Sequence, residues 1–439
     1  MALDRTSRLL SQSVMPGQKP QTWYAASATP APPRPALTGR RTCDVCVIGG
    51  GYTGLSAALH AAETGARVIL LEARSVGFGA SGRNGGQIHT GLRKEQSELE
   101  AWLGPVHARD LWSLSEEAKA LVQALIARHA IPCELRPGLI TAAHDRRAAS
   151  ALAKETEHLE RSYGYTAMRM LDEAETAKQT GSLLYRGARF DEDGGHLHPL
   201  LYACGLARAA EAAGAMIFEE SRVEAFEDVR GCVQLRCAEG SVVADRAILA
   251  TDAYTGAIAP SLDRFIGPVE SFVTATAPLP PSLVSQILPR DAAVADTRHV
   301  LDYYRKSTDG RLLFAGREAY FAMPANIAAL VRPRMLRVFP QLRDVATEYA
   351  WSGTVGITVT RMPHFGRLSE RVQFAHGYSG QGVSLATLGG RLLAEAAMGH
   401  NERFDVFAHI PARPFPGGRW MRRPLIAAAL LAFKVADSF

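Results

Sequence analysis

The chain has 439 residues, 47% of them hydrophobic and 21% charged, with a formal net charge of +5. This balance excludes a mainly disordered chain, and 39 glycines without a three-residue period exclude a collagen-like one. Five surplus positive charges over this length are too few for a nucleic-acid-binding face, and the length suits two or three domain-sized units.

Residues 1–41 lack the apolar block of a secretory signal and read as an extended N-terminal arm, a transit peptide being the alternative. The proline-rich stretch 28–37 favours polyproline II. Cys43 to Ile48 is an apolar run that stops at Gly49-Gly50-Gly51 and reads as a buried strand. Leu55 to Thr64 follows as a helix closed by Gly65, and Val68 to Leu71 is a second strand ending at Glu72. Strand, glycine turn, helix and strand make a βαβ unit over 43–72. Cys43 and Cys46 spell C-x-x-C, but residues three apart on a strand point to opposite faces, so their thiols are not expected to meet. Together with Cys133, Cys204, Cys232 and Cys237 they read as reduced, mostly buried thiols of a cytoplasmic protein.

Residues 94–130 have helical spacing and many charges, and read as helices of a more exposed region. Pro199 opens a helix through Ala213 that Gly214 closes. A short strand Ala215 to Phe218, a hairpin-like region 223–243 and a buried strand Arg246 to Ala250 come next. Between 267 and 359, alternating runs such as Phe272 to Thr276 and the turn Thr308-Asp309-Gly310 predict an antiparallel sheet. Val372 to Ala375 is a strand that runs into another glycine turn and a helix from Val383 to Met398. The apolar run Pro424 to Ala432 is far shorter than the ~20 residues of a membrane span. Leu425 to Val435 reads as a docking helix, on the protein's own surface or on a partner.

Gly49-Gly50-Gly51-Tyr52-Thr53-Gly54 spells G-x-G-x-x-G between a strand and a helix, and a second strand ends in Glu72. Gly49 allows the tight turn, Gly51 lets a diphosphate approach the backbone, and Gly54 lets helix and strand pack closely. The free N–H groups at the helix start hold the diphosphate, and Glu72 suits ribose hydroxyls while repelling a 2′-phosphate. FAD is favoured over NAD by the polar loop Ser81 to Gly86, by Leu249-Ala250-Thr251 at a strand end, and by Gly377 to Gly382 opening a second helix. The positive end of that helix can stabilise negative charge on a reduced flavin.

Further segments are Trp23 to Ala26, L-L-E-A-R at 70–74, G-A-S-G-R-N-G-G-Q at 79–87, G-G-H-L-H-P at 194–199, R-M-P-H-F-G-R-L at 361–368, G-Y-S-G-Q-G-V at 377–383 and F-P-G-G at 415–418. With these the chain resembles the D-amino-acid oxidase/glycine oxidase superfamily of FAD-dependent oxidoreductases, most of all bacterial gamma-glutamylputrescine oxidoreductases. The resemblance implies an α/β plus α+β fold: a Rossmann-like FAD-binding domain with a second, antiparallel-sheet substrate domain. The FAD domain is expected in three pieces (42–92, 191–260 and 355–410), the substrate domain at 93–190 and 261–354, and a tail helix within 411–439. By the same resemblance, non-covalent FAD would be contacted by Gly49, Gly51, Tyr52, Thr53, Gly54, Glu72, Ala73, Arg74, Ser81, Arg83, Asn84, Gly85, Val223, Thr251, Gly380, Gln381, Gly382 and Val383. Gln381 stands where His is expected, and Gly356 and Thr360 where acids are commoner.

The implied reaction is oxidation of a primary amine such as gamma-glutamylputrescine by hydride transfer to flavin N5, with oxygen as acceptor. Its products are aldehyde, ammonia and hydrogen peroxide. The alternatives are a glycine- or sarcosine-type oxidase, with Arg83 or Arg361 holding the α-carboxylate, and a dehydrogenase using another acceptor. His364 and Lys306 are candidates for the positive group that assists oxygen, Lys306 reading more readily as a solvated surface charge. Tyr303 and Tyr304 face opposite ways on a strand, so one can line the amine pocket. His196 and His198 have a metal-like spacing but no third ligand, so no metal is expected. No membrane span is expected, and a homo-oligomer is left open.

Overall fold

The computed structural model describes residues 22–29, 32–229, 231–319 and 324–417, together with positions 421, 424, 425 and 428. Its first sheet has the order His364–Arg367, Val372–His376, Gly240–Leu249, Gly39–Ile48, Val68–Leu71 and Met216–Phe218. The four central pairings from Val372–His376 to Met216–Phe218 are parallel. The strands Ala225–Val229 and Cys232–Arg236 extend this sheet beside Gly240–Leu249 as an antiparallel meander. Strand residues alternate between two cores. Val45 and Val47 pack with Leu55 and Leu59 of the helix Tyr52–Glu63 and with Leu388 and Leu392 of the helix Gly382–Ala397. Cys46 and Ile48 face Leu235 and Val242 on the other side. The first helix begins at Tyr52, three residues ahead of the predicted start, because Gly51 in extended conformation is already its N-cap. The two helices lie close enough that a Cβ on Gly390 would stand 2.2 Å from the Thr53 carbonyl oxygen.

The expectation that the Cys43 and Cys46 thiols face apart is overturned. The backbone N–H groups of Asp44 and Val45 both donate to the Arg67 carbonyl, at 2.9 and 3.2 Å, so the strand's regular alternation is broken at Asp44. The break resets the parity without shifting the register against Gly240–Leu249, so Cys43 joins Cys46 and Ile48 in one core, and Cys43 contributes to raising the Cys46 thiol's pKa after burial itself.

The second sheet has the order Thr347–Ile357, Gly267–Thr276, Leu312–Ala319, Tyr303–Lys306, Ala293–Asp296, Arg136–Ala142, Ala188–His196 and Gln87–Ile88. It is antiparallel except where Ala293–Asp296 meets Arg136–Ala142. One face of it buries Phe272, Tyr304, Phe314 and Phe339. The Thr308-Asp309-Gly310 turn joins two of its strands, as predicted. The helices Gln96–Leu103 and Pro105–Arg128 form within the predicted span, but the second is not exposed. Its Leu111, Val122 and Leu125 enter the same core as Leu55 and Leu388. The arm also departs from a wholly extended form: Thr22 caps a one-turn helix Trp23–Ser27 whose Trp23 and Tyr24 are buried, while 32–38 carry no regular element. Most of the predicted docking helix Leu425 to Val435 lies outside the described residues. Among the described residues no helix is long and apolar enough to cross a membrane.

Candidate active site

Both sheets contribute to one continuous cavity of about 400 Å³. The glycine turn Gly49 to Thr53, the strand-end residues Glu72 and Ala73, and Ser81, Arg83, Asn84 and Gly85 line it. So do Val223, Thr251 and the run Gly380 to Val383. The helices Tyr52–Glu63 and Gly382–Ala397 therefore open their N-termini on the same space. Neither first turn holds an acid and neither N-cap residue makes a side-chain cap bond, so both ends keep donors and positive partial charge for a ligand. The Tyr52 N–H is taken by Ser81 Oγ at 3.0 Å, which fastens the polar loop to the turn.

Glycine is required here by space. A Cβ on Gly51 would stand 2.9 Å from Ser81 Oγ, and one on Gly49, whose φ is +111°, would stand 2.5 Å from the Ala250 oxygen. The Glu72 carboxylate accepts from the Gly50 N–H at 2.5 Å and from the Arg74 N–H at 2.8 Å. Burial nevertheless pushes its pKa up to about 7. Gln381 Oε1 is buried at the tip of the second helix with no hydrogen-bond partner among the described residues. A glycine cradle, two helix tips and a waiting carboxylate and amide fit a dinucleotide with a fused-ring head.

Asp252, which was not predicted, braces this region. Its backbone has φ +41°, and its carboxylate accepts from the Gly377 N–H at 2.7 Å and the Gly356 N–H at 3.1 Å. It thereby ties three loops around the cavity. Its place directly after Thr251, at the end of a buried strand, was the available signal.

The remaining wall comes from the second sheet and the loop after Gln87–Ile88. Tyr303 lies against Gly85, where a Cβ would meet its ring at 2.6 Å, and its hydroxyl is 3.1 Å from Ser271 Oγ. Tyr304 faces the core, so the predicted division of the two tyrosines holds. Thr90 is held from beneath by the buried Lys119 ammonium at 2.6 Å, which also donates to Tyr165 at 2.9 Å, and Tyr165 donates to Asp191 at 2.8 Å. His89 lines the cavity as a neutral imidazole, since burial and then the Arg93 charge lower its pKa to about 4.

Most charged side chains of the wall are committed. Arg83 donates to the carbonyls of Phe78 at 2.9 Å and Ser352 at 3.2 Å. Lys94 pairs with Glu98 at 3.0 Å, and Glu95 with Arg189 at 3.6 Å. The Glu155 carboxylate accepts from the Gln96 N–H at 2.7 Å.

Three predicted site residues lie elsewhere. Gly54 is packed under the turn, and Arg74 contributes its backbone to Glu72 while its side chain meets Glu220 at 3.5 Å. His364 is wedged between Phe265 and Phe374, with Nδ1 2.9 Å from His376 Nε2, and burial lowers its pKa to about 4. A neutral imidazole outside the cavity does not supply the positive group expected of it. Lys306 is not a solvated charge either: it is buried and donates to the Val284 carbonyl at 3.0 Å. His196 and His198 bind separate partners, the Asp291 carbonyl and Ser27 Oγ.

A parallel dinucleotide-type sheet and an antiparallel sheet meet across one cavity, the arrangement of a dinucleotide-binding unit joined to a second sheet. The family described as FAD dependent oxidoreductase matches residues 44–396, and the chain belongs to it. FAD is accordingly its cofactor. The chain is 40% identical to gamma-glutamylputrescine oxidoreductase of Escherichia coli (strain K12), over 95% of this chain and 98% of that protein. It is 39% identical to the probable oxidoreductase OrdL of Haemophilus influenzae, over 92% and 94%. Among solved structures, glycine oxidase from Geobacillus kaustophilus superposes with a TM-score of 0.70 at 22% identity, over 82% of this chain and 95% of that one.

Proposed function

We propose that the protein is an FAD-dependent amine oxidase whose substrate is a primary amine of the gamma-glutamylputrescine kind. The observation that carries this reading is the 40% identity to the Escherichia coli enzyme over nearly the full length of both chains. The balanced reaction takes amine, oxygen and water to aldehyde, ammonia and hydrogen peroxide. The flavin supplies the acceptor for the hydride that leaves the carbon next to nitrogen. The chain's own task is to hold the amine neutral and oriented. His89, uncharged at neutral pH, and the Tyr303 and Ser271 hydroxyls line the cavity and offer neutral hydrogen-bonding groups to a substrate. Purified protein should be yellow and release peroxide with gamma-glutamylputrescine under air. Flavin-loaded protein inert to a panel of polyamine derivatives would remove this reading.

FAD is held here by the glycine turn, Glu72, the Ser81–Gly85 loop, Val223, Thr251 and the Gly380–Val383 tip, without a covalent bond. All six cysteines are free thiols and none lines the cavity, so denaturant should release the flavin into the filtrate.

The raised pKa of Glu72 gives this contact a pH dependence. In the apo protein the carboxyl is half protonated near pH 7, whereas ribose hydroxyls donate best to the charged form. Binding FAD therefore releases a proton, and affinity should weaken as pH falls through 7, approaching tenfold per pH unit below it. Titrating apo protein with FAD between pH 8 and about 5.5 checks this. Glu72→Gln should bind more weakly at pH 8 and lose the slope.

A further inference from the structure

Among the described residues, three arginines of the cavity wall, Arg93, Arg222 and Arg361, make no side-chain hydrogen bond or ion pair; Arg222 adjoins Val223, expected at FAD, and the other two remain. Arg93, on the loop after Gln87–Ile88, and Arg361, after the strand Thr347–Ile357, both line the cavity. Neither makes a hydrogen bond or ion pair through its side chain to any described residue. Arg93 is walled by protein yet open to the cavity space, and the nearby Arg361 charge lowers its pKa further after burial. Two like charges facing one enclosed space raise the energy of the empty site and call for an anion. Arg361 also has φ +65°, a left-handed conformation that an arginine adopts only when its surroundings impose it. Its N–H donates to the Thr358 carbonyl at 3.2 Å, which closes a turn over 358–361. Glu318 stands in the same wall, near enough for its charge to act on Arg93.

We propose that Arg93 and Arg361 clamp a carboxylate at the substrate end remote from the reacting amine, with Glu318 facing the ammonium beside it. The substrate class is thus an amine carrying an α-amino-acid head, rather than a free diamine. This assignment rests on the amine-oxidase reading above and adds to it the residues that select the substrate.

The test uses the flavin-loaded protein and three amines: gamma-glutamylputrescine, its derivative with the α-carboxylate converted to carboxamide, and putrescine. Wild type should lose on the order of 100-fold in kcat/KM when the carboxylate is masked. Arg93→Met and Arg361→Met should lose a similar factor on the acid, through KM, with little change on the carboxamide, and Arg93→Lys should fall between. Neither guanidinium bonds to a described residue, so flavin content should stay at wild-type level; if one variant fails to retain flavin, the other carries the test. Independently of turnover, the N-butyl monoamide of glutarate, which keeps the carboxylate and lacks any amine, should perturb the flavin absorption spectrum. Its Kd should rise at least about tenfold in Arg93→Met. Equal rates on acid and carboxamide in wild type, or equal losses on both in the variants, would overturn the clamp. If no amine is oxidised but Arg93→Met still weakens the monoamide, the clamp stands and the amine reading falls; an unchanged Kd sinks the clamp.

Discussion

Gly54→Val is expected to give a colourless, destabilised protein. Even a Cβ at this position would stand 1.8 Å from the Gly49 carbonyl oxygen, 3.0 Å from its carbon and 3.3 Å from Val47. The turn has no room to retreat, because Gly49 itself lies against Ala250 and already holds a positive φ. Helix and strand must separate, which costs roughly 3 kcal/mol by the usual scale of overpacking, and the displaced turn no longer presents its N–H groups. The thermal midpoint should fall by several degrees, and visible flavin absorption should be lost after gel filtration. A yellow variant with an unaltered midpoint would show that the turn tolerates a side chain here.

Asp252→Ala should have the second-largest effect. Both carboxylate oxygens accept buried backbone N–H groups, from Gly377 and Gly356, and truncation leaves both donors unpaired. At about 1–3 kcal/mol for each orphaned group, the loss is of the order of 4 kcal/mol. Gly377 leads directly into the tip of the helix Gly382–Ala397, so FAD affinity should drop together with stability. Asp252→Asn keeps one acceptor but aims an amide donor at a backbone donor, and should recover only part of the difference. Denaturant titration and FAD binding measured on the same preparations separate the two effects; an Asp252→Ala protein as stable as wild type would contradict the bracing role.

The cradle was legible in the sequence because every one of its requirements is local. A strand, glycines at fixed offsets, a helix and an acid at the next strand's end all lie within 43–72, and the structure keeps them in that order. The second helix tip could be read for the same reason, from Gly377 to Gly382. What escaped depends on partners far away in the chain. The broken alternation at Asp44 goes with the shared Arg67 carbonyl, and no periodicity within 43–48 announces it. The burial of Pro105–Arg128 follows from contact with Gly382–Ala397, which its many charges conceal. His364 reads from sequence as a candidate positive group, yet its surroundings are Phe265, Phe374 and His376. Arg93 and Asp252 gained meaning only once the loops around them were assembled.

The order of strands in the first sheet also bears on biogenesis. Gly39–Ile48 is paired by Gly240–Leu249, which is paired in turn by Val372–His376, so Cys46 lies beside Ala247 and Ala247 beside Val372, neighbours in space but far apart in translation. A nascent polypeptide still short of residue 397 lacks the second half of the prosthetic-group chamber. Vitamin-derived cofactor should therefore be acquired only once the helix Gly382–Ala397 has been made, and fragments halted earlier should expose unpaired strand edges to chaperones and proteases.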